Sequence, residues 1–124
     1  MLAKEVDQSV RIMHVAFAHR LFKKRKKIIF LDAREKKEYL VSHIPNAIFV
    51  GYKTFSFNKT RKINKKSLII IYCSVGVRSA HIAKKLKKVG FKKVFNLYGG
   101  IFQWVNKGYP IVNQYNRKTN RIHA

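Results

Sequence analysis

The chain has 124 residues, of which 47% are hydrophobic and 13% aromatic, as expected of one domain with a real core. Its only cysteine, Cys73, excludes an intrachain disulfide, which fits a reducing compartment, and we expect a cytoplasmic location. The 28 Lys and Arg residues against 5 Asp and Glu give a net charge of +23, which attracts polyanions without specifying a fold.

The first segment, residues 1–27, is predicted to hold an amphipathic helix and then a basic run. Apolar residues recur at helical spacing over residues 5–22, namely Val6, Val10, Met13, Phe17 and Leu21. The basic run Lys23 to Lys27 follows the apolar part, whereas a secretory signal has the opposite order. No segment reaches the roughly 18 apolar residues that span a bilayer.

Residues 28–112 predict strands that alternate with helices. The expected strands are short apolar runs: Ile28 to Leu31, Ala47 to Val50, Leu68 to Tyr72 and Lys93 to Leu97. The expected helices are Glu35 to Leu40, an amphipathic segment from Val77 that ends at Gly90, and a last one from Gly99 through Trp104. Residues 53–66 are expected to form a loop, with or without a helical turn, and residues 113–124 a flexible basic tail. This order favours an α/β fold, a mostly parallel sheet of about four to five strands with helices on both faces.

The single cysteine stands where a nucleophile can form. Cys73 directly follows the predicted strand Leu68 to Tyr72, so its sulfur lies at the carboxyl end of a strand, where α/β sheets bind ligands. The helix that follows favours thiolate over thiol through its dipole. Gly76 lets the loop curl its N–H groups inward, and Arg78 suits an oxyanion. The alternative is a buried, inert cysteine.

The chain resembles single-domain rhodaneses, which are sulfurtransferases. Five pieces carry this resemblance in order over residues 28–110: Phe30-Leu31-Asp32-Ala33-Arg34-Glu35 with Glu38-Tyr39, His43-Ile44-Pro45-Asn46-Ala47, Tyr72-Cys73-Ser74-Val75-Gly76-Val77-Arg78-Ser79, Gly90-Phe91, and Leu97-Tyr98-Gly99-Gly100 with Trp104. Several motifs in order at natural spacings are more specific than any one of them. The resemblance implies a rhodanese-like domain over residues 28–112.

The resemblance also implies a mechanism and a site. Cys73 would take the outer sulfur of a small anionic donor, such as thiosulfate or a persulfide, and pass it to a thiol or cyanide. The loop that binds the donor would consist of Ser74, Val75, Gly76, Val77 and Arg78, with Arg78 orienting the donor and the loop amides stabilising charge. We expect no cofactor.

Four further residues fall on family positions that support the structure. Asp32, Arg34 and Glu38 are expected to hold loops together by charged hydrogen bonds, and His43 to pack and hydrogen-bond. No spacing of His, Cys or acidic residues predicts a metal site. The sequence departs from the family at Asn46, where glycine is usual and asparagine tolerates a left-handed turn, and at Val75, which narrows the pocket.

Two other functions remain open at this stage. The first is a phosphatase of the related fold, whose signature places five residues between Cys and Arg, whereas four separate Cys73 from Arg78. The second is a binding or sulfur-delivery module whose basic surface docks on nucleic acid, an acidic protein or an anionic membrane.

Overall fold

A computed structural model describes residues 10–24 and 27–122, which form an α/β fold around a five-stranded parallel sheet. The strands are β1 (Arg11–Met13), β2 (Ile28–Asp32), β3 (Ile48–Phe49), β4 (Leu68–Tyr72) and β5 (Lys93–Leu97). The helices are α1 (Val15–Lys23), α2 (Lys36–Val41), α3 (Val77–Lys88) and α4 (Gly100–Asn106), with a 3₁₀ turn at Phe57–Thr60. The sheet order is β1-β5-β4-β2-β3, so β4 lies at its centre. The predicted fold class is confirmed.

Strand β4 is buried on both faces, which explains its continuous apolar run. Successive side chains of a strand point to opposite faces, and Ile70 and Tyr72 pack in one core while Ile69 and Ile71 pack in the other. Pairing with β2 aligns Asp32 with Tyr72, so both strands end at the same edge of the sheet. That edge is where the chain places Cys73.

Helices cover both faces of the sheet, as predicted. Helices α1 and α4 pack on the face of Ile70 and Tyr72, where Trp104 is fully buried and donates its indole N–H to the Pro110 carbonyl at 2.8 Å. Helix α3 packs on the other face through Ile82, Ala83 and Leu86. The Cys73 loop connects β4 to α3, and both of these elements are anchored in the core.

The prediction of one amphipathic helix over residues 5–22 is wrong for residues 11–13. Those residues form β1, which pairs in parallel with β5 and aligns Met13 with Leu97, while residues 1–9 lie outside the described part. The helix begins only at Val15, and Phe17, placed by the periodicity on the buried face, is 48% exposed. Pairing with the open edge of β5 overrides the helical pattern. We propose that β1 and α1 belong to the same domain as residues 28–112.

The tail predicted to be flexible over residues 113–124 begins as a hairpin. Strand β6 (Ile111–Val112) pairs in antiparallel fashion with β7 (Lys118–Thr119), and Asn116 turns the chain with a positive φ of 60°. Residues 123 and 124 lie outside the described part. Among the described residues, no helix is long and apolar enough to cross a membrane.

Candidate active site

The sulfur of Cys73 is buried among hydrogen-bond donors. Its Sγ accepts the backbone N–H of Gly76 at 3.1 Å and that of Ser79 at 3.4 Å, and the Ser79 hydroxyl lies 3.3 Å away. Only 3% of the Cys73 surface is exposed. The side chain is therefore enclosed by polar groups. It does not point into hydrocarbon, which is the setting expected of an inert cysteine.

The same sulfur caps the N-terminus of helix α3. Gly76 is the residue before the first turn, with a left-handed φ of 110°, and it has no side chain that could accept a free N–H. Cys73 Sγ instead accepts the N–H of Ser79, the third helical residue, as the oxygen of a serine or aspartate cap would. Because these N–H groups carry the positive end of the helix dipole, the arrangement favours a negatively charged sulfur.

The loop is held by neighbours on two sides. Ile101 and Phe102, in the first turn of α4, donate their N–H groups to the carbonyls of Cys73 at 2.9 Å and Ser74 at 3.2 Å. On the other side, the side-chain amide of Asn96 donates to the Gly76 carbonyl at 2.8 Å. These bonds hold the carbonyl groups of Cys73, Ser74 and Gly76 away from the sulfur, so that backbone N–H groups of the loop face it.

A cavity of about 520 Å³ opens beside the sulfur. The predicted site residues that line it are Arg34, Glu38, Cys73, Ser74, Val75, Val77 and Arg78, together with Glu35 and Lys37. Val75 is 50% exposed at this cavity. The Arg78 guanidinium lies 5.6 Å from the centroid of the Tyr52 ring, and the Tyr52 hydroxyl lies 3.1 Å from His81 Nδ1. The lining thus carries three basic side chains, Arg34, Lys37 and Arg78, beside two acidic ones, Glu35 and Glu38.

Asp32 and Arg34 form a buried ion pair at the carboxyl end of β2. Arg34 donates from Nη2 to Asp32 at 2.7 Å, from Nε at 3.0 Å and from its backbone N–H at 3.0 Å, and its Nη2 also binds the Ser42 carbonyl. Burial alone would lower the pKa of Arg34, but the hydrogen bond and charge of Asp32 outweigh burial and raise this pKa. The pair ties the loop after β2 to the end of α2.

Glu38 and His43 occupy different surroundings. Glu38 accepts the Glu35 N–H at 3.0 Å, and its other carboxylate oxygen lies 3.4 Å from the Ser74 hydroxyl, next to the loop. His43 stacks on Tyr39 with ring centroids 3.9 Å apart and pairs its backbone with Val112. Glu38 therefore contacts the Cys73 loop, whereas His43 does not line the cavity.

The structure adds to the site three residues that the sequence did not assign to it, although Ser79 and Gly100 lie in the motifs quoted above. Ser79 contacts the sulfur, Asn96 binds the Gly76 carbonyl, and Gly100 presses against the backbone of Cys73 and Ser74. The sequence held one signal for Asn96, because it is a polar residue within a strand. The structure shows that Asn96 lies in β5 and is 3% exposed. A buried polar side chain in a strand requires a hydrogen-bond partner, and this one has two.

Comparison with known proteins identifies the family. A family model described as the Rhodanese-like domain matches residues 16–107. The chain belongs to the rhodanese-like domain family. This rhodanese-like chain is 31% identical over 81 residues to the thiosulfate sulfurtransferase GlpE of Coxiella burnetii, a match that covers 65% of the chain and 75% of that protein.

Two other relatives are longer than this chain. The chain is 36% identical over 77 residues to the putative sulfur carrier protein YrkF of Bacillus subtilis, which covers 62% of the chain and 41% of that protein. It is 29% identical over 84 residues to the adenylyltransferase and sulfurtransferase uba4 of Ogataea parapolymorpha, covering 65% of the chain but only 22% of that protein. The chain thus spans less than half of these two relatives.

Solved structures share the rhodanese-like fold. The BH2092 protein from Bacillus halodurans superposes with a TM-score of 0.77 at 27% identity, covering 86% of this chain and 80% of that one. A thiosulfate sulfurtransferase from Pseudomonas aeruginosa gives the same TM-score at 22% identity and covers 94% of this chain and 22% of its own. The second likeness concerns the fold alone.

Proposed function

We propose that this protein is a sulfurtransferase that moves a sulfane sulfur from thiosulfate or a persulfide donor to a thiol or cyanide acceptor through a persulfide on Cys73. The observation that carries this proposal is the sulfur itself, which accepts the N–H groups of Gly76 and Ser79 at the N-terminus of α3 and lines an open cavity. A thiolate in this position is stabilised and can still reach a small donor.

The reaction has two displacement steps. In the first, the Cys73 thiolate attacks the outer sulfur of the donor, the new sulfur–sulfur bond forms, and the donor's own bond to that sulfur breaks. The bonding electron pair leaves with the rest of the donor, as sulfite or a thiolate. In the second, the acceptor attacks the outer sulfur and the electron pair returns to Cys73 Sγ. Charge and atoms balance without a further reactant, and a covalent intermediate divides one transfer into two.

The loop and its arginine would supply the binding energy. The N–H groups of Val77 and Arg78, in the first turn of α3, have no partner within the helix and would stabilise a negative outer sulfur. Arg78 would bind the anionic end of the donor with its planar guanidinium. Val75 at the cavity would limit the size of the donor.

The test is a loading experiment. The protein is incubated with thiosulfate or with a low-molecular-weight persulfide, and its intact mass is measured. A gain of one sulfur atom that is absent in the Cys73→Ser variant supports the proposal. Hydrolysis of an aryl phosphate with no gain of sulfur would instead favour the phosphatase alternative, which the four-residue spacing from Cys73 to Arg78 argues against.

A second role, as a sulfur-delivery module that docks on a polyanion, is favoured by the charge of α3. The exposed side of this helix is lined with lysines, of which Lys85 and Lys88 are examples, and it begins at the Cys73 loop. The chain carries +23 in total. These two lysines lie in the last turn of α3, at the end of the helix away from the cavity, and would bind a polyanionic partner such as nucleic acid, an acidic protein or an anionic membrane there.

Salt dependence tests the docking role. If phosphates are bound, the logarithm of the affinity for a single-stranded RNA should fall linearly with the logarithm of the salt concentration, by about 0.7 for each phosphate neutralised. Replacing Lys85 and Lys88 by glutamine should reduce that slope, whereas replacing Lys107 at the end of α4 should not. A salt-independent affinity would exclude this role. A cytoplasmic location fits both roles, because a reducing compartment keeps the thiol free.

A further inference from the structure

A buried polar network connects the centre of the sheet to the sulfur. Asn96 in β5 and Ser79 in α3 are 3% and 0% exposed. The Asn96 amide nitrogen donates to the Gly76 carbonyl at 2.8 Å, and its amide oxygen lies 2.5 Å from the Ser79 hydroxyl oxygen. The same hydroxyl lies 3.3 Å from Cys73 Sγ. Ser79 is therefore placed between the sulfur and a fixed amide.

The positions of the protons in this network follow from its acceptors. The Gly76 carbonyl can only accept, so the nitrogen of the Asn96 side chain must face it and the amide oxygen must face Ser79. The Ser79 hydroxyl has one proton and two acceptors within reach, the Asn96 oxygen and Cys73 Sγ. It can satisfy only one of them at a time.

We propose that Ser79 is a charge-responsive donor to Cys73 and that Asn96 is the positioning residue that receives its proton when the sulfur is neutral. This inference rests on the proposed function. When Sγ is a thiolate, the hydroxyl turns its proton to the sulfur, since hydrogen bonds to an ion are stronger than those between neutral groups. When Sγ is a thiol or the inner sulfur of a persulfide, the proton returns to Asn96.

The two half-reactions use this donor in opposite ways. During loading, Sγ is the nucleophile and loses its negative charge as it bonds to the donor's sulfur, so a hydrogen bond to the thiolate restrains the attack. During release, the bond from Sγ to the outer sulfur breaks and the electron pair returns to Sγ, which becomes the leaving group. A donor that turns toward Sγ at that moment assists release, because leaving groups of lower basicity depart faster.

Ser79→Ala separates the two steps. The variant removes the hydroxyl and keeps the backbone N–H bond to the sulfur. We measure loading and release separately in single turnovers, at a pH on the upper plateau of the rate of alkylation by iodoacetamide, where the thiol is ionised in both proteins. We expect loading at least as fast as in the wild type and release slower by about three- to tenfold. Ser79→Thr, which keeps a hydroxyl, should restore release.

Asn96→Asp tests the second half of the proposal. A carboxylate holds the Ser79 proton more tightly than an amide does, so the sulfur loses its hydroxyl donor and release should slow. Because Asn96→Asp also removes the N–H donor to the Gly76 carbonyl, the decisive comparison is made within this variant. Adding Ser79→Ala to this variant should then change release by less than twofold. If Ser79→Ala slows loading and release equally, or if its full effect persists beside Asp at position 96, the proposal is wrong.

A readout that needs no sulfur transfer keeps this proposal separate from the proposed function. On the upper plateau of the alkylation profile, Ser79→Ala should raise the rate of Cys73 alkylation about two- to threefold, because the thiolate loses a hydrogen bond that restrains its attack. Failure of the wild type to load sulfur would refute the proposed function and leave this result valid. An unchanged alkylation profile in a folded Ser79→Ala protein would refute the role of Ser79.

Discussion

Gly100 lies against the backbone of Ser74 so closely that the two residues leave no room for a side chain. A Cβ at Gly100 would overlap the carbonyl oxygens of Cys73 and Ser74, and the residue has a left-handed φ of 62°. This contact allows the first N–H groups of α4 to reach those two carbonyls. The shape of the Cys73 loop therefore depends on a glycine in a different helix.

Gly100→Ala is expected to destabilise the fold and to disturb the loop. The left-handed backbone costs an alanine roughly 1–2 kcal/mol, and displacement of the Ser74 backbone adds about 1–3 kcal/mol. Gly108→Ala is the matched control, since Gly108 has a φ of 80° but no atom within 4 Å of its Cβ position. Urea denaturation should show a larger loss for Gly100→Ala. Equal losses would mean that the close approach to Ser74 contributes nothing.

Removal of Arg34 should lower the free energy of unfolding because it leaves Asp32 as a buried charge without its ion-pair partner. Both side chains are fully buried, and removal of one partner of such a pair destabilises a protein by about 3–5 kcal/mol. We therefore expect Arg34→Met to lower the free energy of unfolding by about this amount. The double variant Asp32→Asn/Arg34→Met has no buried ion and should be more stable than the single variant. The expectation is wrong if denaturant titration ranks the two variants the other way.

Arg78 should govern the affinity for an anionic donor. Loss of a charge-assisted hydrogen bond in Arg78→Gln should raise KM for thiosulfate about tenfold or more while kcat changes less, because the outer sulfur is still attacked by an intact thiolate. Tyr52→Leu removes the ring beside the guanidinium and should raise KM about two- to fivefold. Tyr52→Phe keeps the ring and serves as the control. Steady-state kinetics with unchanged KM in Arg78→Gln would exclude this role.

His19 should make the fold sensitive to mild acid. Its pKa is lowered below 6.5, first by burial and second by the charge of Lys23, where its ring stacks on Tyr109. His19 therefore binds a proton more readily in the unfolded chain than in the folded one. The free energy of unfolding should fall as the pH drops through 6.5 toward the lower pKa of His19 in the folded protein. His19→Phe keeps the stacking ring and removes the titration. Melting temperatures measured across this pH range should fall less for the variant than for the wild type; parallel curves would contradict this.

Local sequence patterns predicted the centre of the fold well. The apolar run Leu68–Tyr72, the glycine at position 76 and the helical periodicity after it are adjacent in the chain, and together they specify strand, loop and helix. The positive φ of Asn46, 67°, also agrees with the expected left-handed turn. Each of these features depends on neighbouring residues alone.

Features that depend on distant contacts were not predictable in the same way. Strand β1 has only three residues, and it forms because β5 offers an unpaired edge. Asn96 reaches the Cys73 loop because the sheet order places β5 beside β4, which no local pattern encodes. Gly100 was expected only to begin a helix, and its contact with Ser74 comes from the packing of α4. Contacts between distant residues therefore determine both the strand β1 and the site residues Asn96 and Gly100, which the sequence did not predict.

The most direct test of the account follows one sulfur atom through a complete cycle on Cys73. The protein is loaded with thiosulfate or a small persulfide, freed of donor, weighed intact, treated with cyanide and weighed again. The account predicts a gain of one sulfur atom, its loss on addition of cyanide, and one thiocyanate formed per protein, with none of these in Cys73→Ser. A folded wild-type protein that gains no sulfur from either donor, or that retains the sulfur in the presence of cyanide and thiols, would contradict it.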